Sequence, residues 1–128
     1  MSVGAIIRRE LAADPAVAEI CGEGVYLAAA PDGAARPLLV VSVAGDPRLD
    51  ADGAPDAQGA ALVQIAALAD RWSDADELAL AAAEAMEAAR DVSDRDGPTD
   101  VPNMDPAGTI FARQLTYTVY HTLDDEET

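Results

Sequence analysis

The sequence predicts an α+β fold, a mostly antiparallel four-stranded sheet with two main helices packed on one face. Three observations carry this. Residues 62–69, Leu-Val-Gln-Ile-Ala-Ala-Leu-Ala, alternate as a largely buried strand and pass through Asp70-Arg71-Trp72 into a long alanine-rich helix. Residues 38–44, Leu-Leu-Val-Val-Ser-Val-Ala, form a strand apolar on both faces, as expected of a central one. Residues 109–123 alternate again, with Phe111, Leu115, Tyr117, Val119 and Leu123 on one side and Gln114, Thr116, Thr118 and Tyr120 on the other.

Taken in order, Ser2 can cap a first helix over 3–13, where Val3, Ile6, Ile7 and Leu11 make an apolar stripe and Arg8, Arg9 and Glu10 face outward. Asp14-Pro15 then pairs a favoured N-cap with proline at the first helical position, starting a short helix through Ile20 that Gly22 closes. Val25-Tyr26-Leu27 reads as a short strand, and the stretch from Ala30 to Pro37 has turn chemistry throughout. In the long helix, Ser73 is the expected N-cap, with Asp76 three residues on and Arg90 in the last turn. Steps of 100° gather Ala75, Leu78, Ala82, Ala85, Met86 and Ala89 on one face and Glu77, Glu84 and Glu87 opposite them. Leu80 breaks that division, because it falls among the glutamates.

Two segments lose all periodicity. Residues 45–59 carry Asp46, Asp50, Asp52 and Asp56, and residues 91–108 carry Asp94, Asp96 and Asp100, so both read as long acidic loops. Loops beyond about 12–15 residues are uncommon in small domains and are usually functional or disordered. The last residues, 124–128, read as a disordered acidic tail. With 128 residues and no linker, a single domain over 1–128 is expected.

Composition narrows the function classes. Half the residues are apolar but only 4% are aromatic, so the core should be thin and built of small side chains, a weakness that partners could offset. The formal charge is −16, which argues against holding nucleic acid through its phosphates. All eight basic residues are arginine, the usage of a GC-rich genome. The one cysteine, Cys21, excludes an internal disulfide and suits a reducing compartment. Neither a signal peptide nor a run of the roughly 18 apolar residues that span a membrane is expected.

No catalytic constellation emerges. His121 and Cys21 are the only residues of their kinds, too few for a zinc site and with no spacing that suggests a nucleophilic pair. Asp50-Ala51-Asp52-Gly53 begins like a calcium loop, but its glycine comes two positions early and no glutamate follows at the twelfth; Asp94-Arg95-Asp96-Gly97 fails similarly. The glycines follow no phosphate-loop pattern. Catalytic, metal and cofactor-binding residues are therefore all expected to be none.

The order of elements and their wording carry a resemblance. Asp14-Pro15-Ala16-Val17 after an apolar helix, Gly24-Val25-Tyr26, Pro31, and Arg36-Pro37-Leu38-Leu39-Val40-Val41 resemble the first half of the tail-completion or tail-terminator proteins of long-tailed bacteriophages and gene-transfer particles. Val63-Gln64-Ile65 leading through Trp72-Ser73 into the alanine-rich helix, and Tyr117-Thr118-Val119-Tyr120, resemble the second half. The resemblance implies a non-enzymatic virion protein assembled in the host cytoplasm. It would form a ring, commonly of six subunits, that caps the tail tube, ends its polymerisation and joins it to the head connector. The implied partners are further copies of the chain, the tail-tube protein and the connector, with DNA passing through the channel. Alternatives are a neighbouring neck or tail-tube component, or an acidic bacterial binding module such as an immunity protein or nucleic-acid mimic. A closed ring needs a heterologous interface. Leu80 and Tyr120 are the candidate contacts, against the plainer reading of scattered exposed apolar residues. The seven loop aspartates are candidates to face the channel, against the reading of solvated outer turns.

Overall fold

The computed structural model describes residues 3–44, 59–89, 92–101 and 110–121. Within them the chain runs α1 (Val3–Ala13), α2 (Pro15–Cys21), β1 (Val25–Leu27), β2 (Leu38–Ala44), β3 (Gly59–Ala69), α3 (Trp72–Ala89), β4 (Val92–Asp100) and β5 (Phe111–His121). The α+β class is as expected, but the sheet has five strands and is mixed, in the order β1-β2-β3-β5-β4. β1 pairs with β2 in parallel, and the other three pairings are antiparallel. β3, not β2, is the central strand.

The additional strand is β4, in a segment expected to be a loop. Its sequence, Val-Ser-Asp-Arg-Asp-Gly-Pro-Thr-Asp, has no apolar alternation because it lies at an edge and pairs only with β5, through a register that shifts twice, between Ser93 and Asp96 and between Asp96 and Thr99. Such irregularity, with charges and a proline, is how edges are blunted against further pairing. Gly97 sits within the second shift at φ +99°, where any Cβ would strike the Gln114 carbonyl oxygen. A glycine is required there.

The helices lie on one face of the sheet. From the odd-numbered positions of the three interior strands, Leu39, Val41, Val63, Ile65, Ala67, Leu115, Tyr117 and Val119 are buried against Val3, Ile7 and Leu11 of α1, Val17 of α2, and Leu78 and Met86 of α3. Alanines complete the layer. Ala75, Ala79, Ala82, Ala83 and Ala85 are all buried, so α3 approaches the sheet with little side chain between, the thin core that composition implies. Ala89, assigned to that face by periodicity, is exposed at the helix end, whereas Ala79 and Ala83 join it. Ile6 is half-buried, and Glu77, Glu84 and Glu87 are exposed as expected.

On the opposite face, even-numbered residues such as Tyr26, Val40, Gln64, Leu68 and Thr116 are half-buried, and Leu62 is 41% exposed. No helix covers it among the described residues.

Local sequence accounts for the connections. Asp14 caps α2, its Oδ1 accepting from the amides of Ala16 and Val17 at 3.0 and 3.1 Å, and Gly22 closes the helix at φ 58°. α3 starts two residues earlier than its capping signature suggests: the carbonyl of Arg71 accepts from Ala75, which puts Ser73 inside the first turn.

Candidate interaction surface

Among the described residues, Cys21 is not set up as a reactive thiol. Cys21 ends α2, its thiol donating to the Val17 carbonyl at 3.3 Å, and burial pushes its pKa up, the reverse of what a reactive thiolate needs. His121 ends β5 in register with Gly59. Among the described residues, no three histidine, cysteine or carboxylate side chains gather as a metal site would require. No described helix is long and apolar enough to cross a membrane.

Leu80 is 45% exposed on α3 and lies in a groove between α2 and α3 of about 620 Å³. α2, only seven residues long, contributes Ala16, Glu19 and Ile20 to it, and α3 contributes the stretch from Asp74 to Glu84. Its apolar lining is Ala16, Ile20, Pro37, Leu80 and Ala81; its rim is Glu19, Asp74, Glu77 and Glu84. Four carboxylates thus accompany the apolar lining, and no basic residue lines it among the described residues. The helical pattern singles out Leu80 but not its neighbours across the groove, because the approach of α2 to α3 is tertiary.

Tyr120 occupies the backbone position in β5 that pairs with Ala60. Of the aspartates, Asp46, Asp50, Asp52 and Asp56 lie outside the described residues, as does the 124–128 tail. Asp94, Asp96 and Asp100 belong to strand β4 rather than to a loop. Asp96 is exposed on this edge.

Asp100 takes part in a cluster that local patterns miss. Its Oδ1 accepts from the Trp72 indole N–H at 2.8 Å and from Nη1 of Arg113 at 3.0 Å. The other side of the same guanidinium meets Asp76, with Nη2 at 3.1 Å and Nε at 3.2 Å from one oxygen. Hydrogen bonds from Trp72 and then Arg113 hold the Asp100 carboxyl below the usual carboxylate range. One signal could have found this cluster. Arg113 falls, by alternation, on the helix-covered side of β5, where a cation needs a carboxylate, and the first turns of α3 carry several. Trp72 and Phe111 remain exposed at 44% and 39%, and Asp70, two residues before Trp72, pairs with Arg36 at 2.7 Å.

With this geometry in place, comparison with known proteins is informative. The family described as tail completion protein gp17 matches residues 5–117. No curated protein sequence matches. Among solved structures, a chain of the "Virion of native gene transfer agent (GTA) particle" superposes with a TM-score of 0.61 at 17% identity, covering 94% of this chain and 95% of that one. At that identity the likeness is one of fold.

Proposed function

The chain belongs to the tail completion protein gp17 family, and from that premise we propose that it caps the tail tube of a phage-like particle as a closed ring, six subunits being the expected number. The family match over nearly the whole fold carries this reading. In it the protein does no chemistry, ends polymerisation of the tube, and joins the tube to the head connector of the virion. The structure supplies compatible features: a thin alanine-rich core that neighbours would reinforce, an apolar groove at Leu80, and a sheet face left without helices among the described residues.

Leu80 and Tyr120 serve as assembly contacts in this proposal. Asp46, Asp50, Asp52, Asp56, Asp94 and Asp96 keep the DNA path non-adhesive, since acidic walls hold no phosphates by counterion release. Asp100 contributes less to that lining because Trp72 and Arg113 already engage it. Carboxylates act on DNA only within about 8 Å at physiological salt. Unchanged DNA release after charge reversal of these aspartates would remove the lining from the proposal.

The test of the ring is its mass in solution. Light scattering of the purified chain, alone and with tube protein, should give a species near six times 13.2 kDa, and electron microscopy should show it at the end of tubes. A chain that stays monomeric with tubes present, or that copolymerises along them, would overturn the cap.

A further inference from the structure

We propose that the acidic groove between α2 and α3 docks a cationic amphipathic helix supplied by a different protein, not by a second copy of this chain. The inference deepens the assembly reading and rests on it for the existence of protein neighbours; the chemistry of the occupant comes from the groove itself.

Glu77, Leu80 and Glu84 follow one another at intervals of three and four along α3, so an apolar side chain is bracketed on one stripe by two carboxylates. α2 faces this stripe with Ile20 and Glu19, repeating the pattern of apolar floor and acidic rim. A groove with this layout fits a helix that presents an apolar anchor with arginine or lysine one turn away on each side. The anchor would cover Leu80 and Ile20, and the cations would meet Glu77, Glu84 and Glu19.

Charge decides whose helix this is. Of the described arginines, Arg36 is paired with Asp70, Arg95 with Glu87, Arg113 with Asp76 and Asp100, and the Arg8 guanidinium donates to the Val25 carbonyl. Arg9 and Arg71 make no ion pair among the described residues, but each is a single cation, with no second arginine three, four or seven residues away to share one helical stripe with it. The remaining residues add only Arg48 and Arg90: 45–58, 102–109 and 122–128 are each net acidic, and 90–91 is neutral. A chain of formal charge −16 in which no two arginines stand six to eight residues apart therefore offers no helix with cations on both sides of an anchor to its neighbour's acidic groove. Complementarity must come from another protein.

The probe is a fluorescein-labelled helical peptide of about 15 residues, long enough to span about four turns, with leucine anchors flanked by arginines. It is titrated into the full chain by fluorescence anisotropy, while light scattering reports the oligomeric state of the same sample. Binding should saturate and weaken with salt. Glu77→Gln with Glu84→Gln should weaken it about tenfold, the effect of two partly exposed charge pairs, and Leu80→Ser should weaken it comparably. Asp32→Asn with Asp96→Asn removes the same charge outside the groove and should leave binding nearly unchanged; circular dichroism verifies folding of each variant. Absence of binding, or equal weakening by both charge pairs, overturns the groove. So does loss of self-association in Leu80→Ser without an effect on the peptide, which would return Leu80 to the contact between copies. Peptide binding to a chain that never forms rings would leave the groove standing and the ring refuted.

Discussion

The guanidinium carbon of Arg113 lies 4.9 Å from the centre of the Trp72 ring. This contact joins the start of α3 to β5, and the carboxylates of Asp76 and Asp100 fix it from either side, Asp100 drawing in β4. Three consecutive elements therefore meet at one side chain, which is itself only 15% exposed.

Arg113→Ala should destabilise the fold by about 2–3 kcal/mol, as charge-assisted hydrogen bonds and the ring contact are lost together. Double-mutant cycles should assign a larger coupling to Asp76 than to Asp100, because their side chains are 26% and 64% exposed and solvent screens the outer pair. Urea melts of the two cycles check the order.

Acid should loosen this corner late. The folded-state pKa of Asp100 is depressed, so its stabilising contribution is complete above the ordinary carboxylate value and is lost only as pH falls through the lower folded value. Followed through the indole N–H resonance of Trp72, the transition should lie below that of an unperturbed aspartate. In Arg113→Met it should move upward.

Among the described residues Tyr117 is the largest fully buried side chain, and its hydroxyl makes no hydrogen bond of good geometry, Arg95 alone lying near enough to pull its pKa down. Burial first, and then the charge of Glu87, push its pKa up. Tyr117→Phe removes an unsatisfied polar atom and should stabilise the protein by about 1 kcal/mol, raising Tm by roughly 3–5 °C. Calorimetry reads this directly.

Leu78→Asp should abolish folding. Leu78 is fully buried beneath α3, and an unpaired buried charge costs several kcal/mol against a total of about 5–15 kcal/mol. Loss of the cooperative thermal transition is the expected readout; a soluble native-like variant would contradict the packing of α3.

Leu80→Glu and Tyr120→Ser should leave the subunit folded while impairing particle assembly. Complementation of a particle lacking the protein, scored by tail length and head attachment, separates these effects. Normal assembly by both variants would move the contacts elsewhere.

Much of the fold was legible in the sequence because its periods are strong. The change from alternation in β3 to helical spacing in α3 is readable residue by residue, and Asp14-Pro15 announces α2 through chemistry confined to four residues. β4 was not legible. A bulged edge strand buries too little to need an apolar pattern, and Gly97-Pro98 reads as a turn until β5 is placed beside it. The groove was half legible: Leu80 stands out on α3, but Glu19 and Ile20 acquire meaning only when α2 is laid across. Arg113 was passed over among apolar neighbours, since its partners come from two other elements.

The pairing of β3 with β5 governs how the protein is made. Gly59 is in register with His121 and Ala69 with Phe111, so the central ladder joins strands between which α3 and β4 must first be synthesised. At about 5–20 residues per second, the ribosome exposes β1, β2, β3 and α3 for some seconds before β5 can close the sheet. During that interval the alanine face of α3 and one side of β3 have no permanent cover. Closing a long loop is entropically slow compared with forming a helix, so α3 should form early and await the last strand. Nascent chains that stop short of β5 would lack Leu115, Tyr117 and Val119 from the core and present an open edge of β3, a ready substrate for chaperones and proteases.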